Sequence, residues 1–244
     1  MDPVIGIVAC ARGEGRQFLS EAYIQAVEMA GGVPVIIPCT GDSSHFPRYY
    51  SMCDGFLFCG GDDISPRLFG EDLLTEKGRT DEETDLFHMS FMKYALSSSL
   101  PVFAICRGMQ VMNIVRGGSI WQDISLKEGA AQNHMQLSEK RSDVCHRISF
   151  SQNSMLYDIF GNYAETNSFH HQCIKTVGQG LKIAALAADG IIEALEDISA
   201  PFVVGVQWHP ECMYSSCPPM RDLFLAFTAH AKKAKSVSLP ISFS

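Results

Sequence analysis

Apolar residues along this chain follow two rhythms. Short continuous runs alternate with stretches in which apolar positions recur at helical spacing. Val4 to Ala9 is apolar apart from Gly6, the pattern of a strand covered on both faces. Ser20 to Ala30 has helical spacing, begins at a capping serine and stops at Gly31-Gly32. Val33 to Ile37 reads as a second strand closed by Pro38, and Phe46 to Met52 as a short helix. Gly55 to Cys59 is a third strand that runs into Gly60-Gly61. Asp81 to Ser98 predicts a long helix, with acids crowded into its first turn as the helix dipole favours. Pro101 to Ile105 is a fourth strand, and a helix over Arg107 to Val115 ends at Gly117-Gly118.

Strand and helix in alternation predict an α/β fold, with a parallel sheet and helices on both faces. The second half changes character. Arg147 to Phe150, Ala164 to Asn167, Leu181 to Ala187, Ile191 to Leu195 and Phe202 to Gln207 are short extended segments separated by turn residues. They predict added strands, some antiparallel, that return to the central sheet. A last helix is expected from Pro219 to Lys235, with a loosely held tail from Ser236 to Ser244. The polar run Lys127 to Asp143 has no clear period and is a candidate rim segment. No repeat or linker divides the chain, so residues 1–244 are expected to form one domain.

Composition narrows the function classes. The chain is 46 % hydrophobic and 19 % charged, which is ample for a core. A formal net charge of −8 argues against nucleic acid or an anionic membrane as partner, since both attract basic patches. Lys232, Lys233 and Lys235 fit a solvated helix end. No run of apolar residues is long enough to span a bilayer, and the N-terminus reads as a strand. A cytoplasmic protein is therefore expected. The nine cysteines form no CxxC pair and are expected to be reduced.

Four segments could carry chemistry. In Ala104-Ile105-Cys106-Arg107-Gly108, a cysteine stands at a strand-to-helix turn with small residues two before and two after it. Such a turn exposes a nucleophile above the sheet, and the helix N-terminus favours the thiolate. The Arg107 amide would face a developing oxyanion. Taken alone, a buried filler cysteine fits equally well. His209-Pro210-Glu211 ends a predicted strand and could provide a base and its orienting acceptor, side chains two apart pointing the same way if extended. Without Cys106 it would read as a surface histidine beside a capping acid.

Cys59-Gly60-Gly61-Asp62-Asp63 lies past a strand's C-terminal end, where open α/β sheets place their sites, and paired glycines suit a second oxyanion donor. An ordinary βα turn is the competing reading. Asn167-Ser168-Phe169-His170-His171-Gln172 could hold a polar substrate. Adjacent histidines diverge on most backbones and no third ligand is evident, so no metal or other cofactor is expected.

Together these segments resemble class I glutamine amidotransferase-like hydrolases, and most closely the γ-glutamyl-γ-aminobutyrate hydrolase branch, peptidase family C26. The resembling stretches are GGDDISPRLFGE (60–71), PVFAICRGMQVMN (101–113), GGSIWQDI (117–124), NSFHHQ (167–172) and GVQWHPE (205–211), in the family's order. The resemblance implies a flavodoxin-like three-layer sandwich with Cys106 as nucleophile, His209 as base and Glu211 as its orienter. It implies an oxyanion hole at Gly60, Gly61 and Arg107. It also implies glutamyl contacts from Gln110, Ser168, Phe169, His170 and His171. The implied reaction is hydrolysis of a small γ-glutamyl amide, as in polyamine degradation, and the resemblance carries the expectation of a homodimer. Two rivals remain open: a glutaminase subunit that feeds ammonia to a synthetase, and a non-catalytic sensor or binding relative. The latter often carry His directly after the cysteine, where this chain has Arg107.

Overall fold

The predicted apolar runs become the centre of one sheet. The computed structural model describes residues 1–129 and 132–237. The first half contains β1 (Val4–Val8), a hairpin of β2 (Ala11–Gly13) and β3 (Arg16–Phe18), α1 (Glu21–Met29), β4 (Val33–Ile37), α2 (Phe46–Met52), β5 (Gly55–Phe58), α3 (Glu82–Leu96), β6 (Val102–Ile105) and α4 (Arg107–Val115). The second half contains β7 (Ser119–Trp121), β8 (His146–Phe150), α5 (Met155–Phe160), β9 (Tyr163–Thr166), β10 (Cys173–Thr176), β11 (Leu181–Ala187), β12 (Ile192–Asp197), β13 (Val203–Val206) and α6 (Pro218–Val237).

Nine strands form the main sheet in the order β4-β1-β5-β6-β13-β12-β11-β8-β9. From β4 to β13 every pairing is parallel, and from β13 to β9 every pairing is antiparallel. This is an α/β, flavodoxin-like arrangement with an antiparallel extension. Side chains on successive strand positions point to opposite faces, so each central strand feeds two cores. Ile5, Ile7, Leu57, Phe103 and Val206 pack with α1, α5 and α6. Val8, Phe56, Phe58, Val102 and Ala104 pack with α2, α3 and α4. On that second face Phe91 meets Phe46 and Phe56 edge to face, with ring centroids 4.9 and 5.0 Å apart.

Some features were not foreseen. The β2–β3 hairpin turns at Glu14 and Gly15, both at positive φ, a turn chemistry that its charged sequence hides. The short helix α5 is capped by Ser154 and by Glu196, which accepts from the Met155 and Leu156 amides at 3.1 and 2.9 Å. The acids of Asp81–Ser98 do not all serve the helix dipole: Glu82 and Glu83 are exposed, whereas Asp85 is buried. Helix α6 begins at Pro218 and continues to Val237, so the expected tail starts later; residues 238–244 lie outside the described residues. Among the described residues no helix is long and apolar enough to cross a membrane.

Phe91 is fully buried at the centre of the aromatic cluster. Phe91→Ala is expected to cost about 3–5 kcal/mol of stability, read as a lowered midpoint in denaturant unfolding at unchanged slope.

Candidate active site

Cys106 sits where β6 turns into α4, with φ 52° and ψ −107°, a conformation that an L-residue holds only under constraint. The constraint is visible. The Cys106 amide donates to the Val206 carbonyl at 2.6 Å, which ties the turn to β13. A Cβ on Gly108 would lie 2.4 Å from the Phe58 carbonyl oxygen, so the helix can start against β5 only with glycine there. Gly205, opposite Ala104 in the β6–β13 register, is equally confined: its Cβ would meet Met109 at 2.6 Å.

Because β6 and β13 are parallel neighbours, Cys106 and His209 leave the sheet at the same edge. Asn167 clamps the His209 backbone from both sides, accepting from its amide at 2.8 Å and donating to its carbonyl at 3.0 Å. The segment is not extended as expected. Pro210–Cys212 is a 3-10 turn, and that turn brings Glu211 Oε1 back to 2.7 Å from His209 Nδ1. Gly60 lies between the two catalytic candidates: a Cβ there would be 2.8 Å from His209 Cε1 and 3.4 Å from Cys106 Cβ. Gln207 Nε2 donates to Cys106 Sγ at 3.4 Å.

Burial alone would lower the pKa of His209. The Glu211 carboxylate and the neighbouring Cys106 sulfur override it and raise the pKa to about 10. The imidazole therefore carries a proton at neutral pH, facing the sulfur.

The three oxyanion candidates separate. The Gly60 amide donates to the Tyr23 hydroxyl at 2.9 Å, so it is already committed and is removed from that role. The Gly61 and Arg107 amides have no acceptor among the described residues, and both residues line the cavity with Cys106. A Cβ on Gly61 would lie 2.7 Å from the Cys10 carbonyl, which keeps this loop close to the thiol. The Arg107 side chain turns inward, to Asp85 Oδ1 and His88 Nδ1, each at 2.5 Å. Burial and the Arg107 charge lower the pKa of His88 to about 3, so its neutral ring accepts from Arg107 and donates to the Ala9 carbonyl. Sequence reasoning missed Asp85 and His88, although three residues apart on a helix they share a face. It also missed Tyr23, which no motif marks.

The cavity over Cys106 is about 430 Å³ and includes Gln110, Phe169, His170 and His171 in its walls. Gln110 Nε2 is bound to the Gln172 carbonyl and to Gln207 Oε1, both at 3.1 Å, so it braces the wall and positions Gln207. Ser168 is withdrawn: it is fully buried, donates to the His134 carbonyl and does not line the cavity, which corrects its expected substrate contact. The Phe169 ring lies under the Arg141 guanidinium and beside His209. The adjacent histidines diverge as expected. His171 bridges Asp63 at 2.9 Å and Asp123 at 3.1 Å, while His170 turns into the protein. Asp62 and Arg79 line the mouth and carry opposite charges.

The sequence model of the Peptidase C26 family matches residues 3–211. The chain is 32 % identical to protein NtpR of Enterococcus hirae, over 92 % of this chain and 97 % of that protein. It is 31 % identical to γ-glutamyl-γ-aminobutyrate hydrolase PuuD of Escherichia coli K12, over 93 % of this chain and 92 % of that one. A putative glutamine amidotransferase-like protein of Lactococcus lactis, YvdE, is 35 % identical over 82 % and 83 % of the two chains. Among solved structures, a putative GMP synthase component from Thermoplasma acidophilum aligns with a TM-score of 0.68 and 17 % identity, covering 97 % of this chain and 98 % of that one. That likeness concerns the fold.

Asp85→Asn leaves the buried Arg107 cation without its counter-charge, and a loss of about 3–5 kcal/mol is expected in equilibrium unfolding. Glu211→Gln removes the negative charge that favours the imidazolium. The His209 ring, followed by NMR titration, should then lose its proton at a lower pH than the value of about 10 in the parent chain. An unchanged titration would show that Glu211 does not hold the proton there.

Proposed function

We propose that this chain, which belongs to the peptidase C26 family and is a glutamine amidotransferase-like hydrolase of the cysteine type, cleaves the γ-glutamyl amide bond of a small substrate through a Cys106 thioester. One observation carries the reading: a strained cysteine at the sheet edge, a protonated histidine and two amides without acceptors converge on the floor of one cavity.

The Cys106 thiolate attacks the γ-carbonyl carbon. The Gly61 and Arg107 amides receive the oxyanion, already oriented by the helix start and the glycine loop. The His209 imidazolium donates its proton to the departing nitrogen, and the C–N bond breaks to leave the thioester. Acylation removes the thiolate charge, and with it one of the influences that held the imidazole protonated. The ring can then accept a proton from water, which attacks the thioester and releases glutamate. Glu211 keeps the imidazole in its working orientation in both half-reactions. At the mouth, Asp62 and Arg79 offer one anionic and one cationic group, which suits the ammonium and carboxylate of a glutamyl head.

Glutamate release from γ-glutamyl-γ-aminobutyrate, glutamine and a folate polyglutamate tests this directly. Turnover of at least one amide is expected, falling to background in Cys106→Ala with the thermal unfolding midpoint retained. Full activity in Cys106→Ala would remove the nucleophile assignment. Release that appears only when a synthetase is added would favour the ammonia-delivering role instead.

A further inference from the structure

At and behind the cavity wall, four side chains that the proposed reaction does not use converge on one point, His170 among them also lining the cavity. They are Glu193 from β12, His146 from β8, His170 from the substrate loop and His134 from the rim segment, all at most 7 % exposed. Glu193 Oε1 is 3.2 Å from His134 Nδ1, 3.4 Å from His146 Nε2 and 3.6 Å from His170 Nε2. None of these contacts makes a well-formed hydrogen bond, and both Glu193 oxygens and all three facing nitrogens are without one. The ligand atoms of His134, His170 and Glu193 all lie within 4.8 Å of one another.

The remaining ring nitrogens explain what is being held. His170 Nδ1 is 3.0 Å from the Gln172 carbonyl, which can only accept, so that nitrogen carries the hydrogen. In the neutral ring, Nε2 then presents a lone pair to Glu193. His134 Nε2 is 3.1 Å from Asp189 Oδ2, and its Nδ1 faces Glu193. A carboxylate and imidazole nitrogens thus meet in a buried space without a well-formed hydrogen bond, an arrangement that calls for a cation or a shared proton among them. Acceptors on the outer nitrogens are what orients metal-binding histidines. Tetrahedral coordination at zinc bond lengths spaces ligand atoms about 3.3–3.5 Å apart, within a few tenths of an ångström of the Glu193 contacts at 3.2 and 3.6 Å to His134 and His170. Glu193 and Asp189 together supply two buried negative charges, matching a divalent ion.

We propose that His134, Glu193 and His170 bind a divalent first-row cation such as zinc, with His146 beside Glu193 as a neighbour of the site. The site would lock the rim segment and the Phe169–Gln172 wall onto β12. It also revises the expectation that no metal is held: the third ligand that sequence spacing did not offer comes from distant segments.

The test is metal content rather than turnover, so it stands apart from the reaction proposed above. Full-length Cys106→Ala protein, which removes the reactive thiol as a competing ligand, is loaded with zinc, dialysed against metal-free buffer and assayed by mass spectrometry. About one zinc per chain is expected, and less than about a tenth of that in the same chain carrying Glu193→Gln. Asp189→Asn lies outside the ligand set and should weaken zinc affinity about 10–100-fold while the chain stays folded, so the site remains testable if Glu193→Gln does not fold. Cobalt loading should give the visible spectrum of a tetrahedral nitrogen and oxygen site without a thiolate charge-transfer band. Failure to retain zinc, unchanged zinc in Glu193→Gln, unchanged affinity in Asp189→Asn, or a thiolate band would each overturn the proposal. Failure to retain zinc would leave a shared proton as what binds the cluster.

Discussion

The site depends on the parallel pairing of β6 with β13. It places the Cys106 amide against the Val206 carbonyl and so fixes, in one hydrogen bond, the end of one strand beside the end of the other. The placement of His209 opposite the thiol follows from that register. A slip of one residue would turn the side chains beyond each strand to the opposite face, and His209 would leave the sulfur. The small residues Ala104, Gly108 and Gly205 exist at this crossing because backbone and helix approach too closely for larger ones.

Around this crossing the protein buries charge in matched sets. Arg107 extends from the residue after Cys106 into the core, where Asp85 and a neutral His88 receive it. That anchorage leaves its amide pointed at the cavity while its guanidinium stabilises the opposite side of the turn. His209 is matched by Glu211 in the same manner. Buried ions of this kind hold geometry more than they add net stability, because desolvation offsets much of their attraction. The result is a site whose donors are oriented before a substrate arrives.

A second constraint runs through Asn167 and the residues after it. Asn167 holds the His209 backbone, Ser168 ties to His134, and Gln172 connects to Gln110 and thence to Gln207 beside the thiol. The cavity wall and the strand ends that carry Cys106 and His209 are therefore one hydrogen-bonded unit.

Much of this was readable in the chain. The apolar runs marked the parallel strands, because a strand covered on both faces leaves no polar positions. The tight turn at Cys106 was readable because its crowding demands small residues at fixed offsets, and the pairing of His209 with Glu211 was readable because they lie in one short segment. The hairpin, α5 and the antiparallel register carried weaker local signals and were decided by packing. Only the tertiary structure could show that Gly60 commits its amide to Tyr23, that Ser168 faces away from the cavity, or that Asp85 and His88 receive Arg107. The same is true of Glu193 and its three histidines, which reach one point from segments scattered along the chain. Local sequence dictates backbone conformation within a few residues, whereas the partner of a buried donor or charge is set by which elements the sheet order brings together.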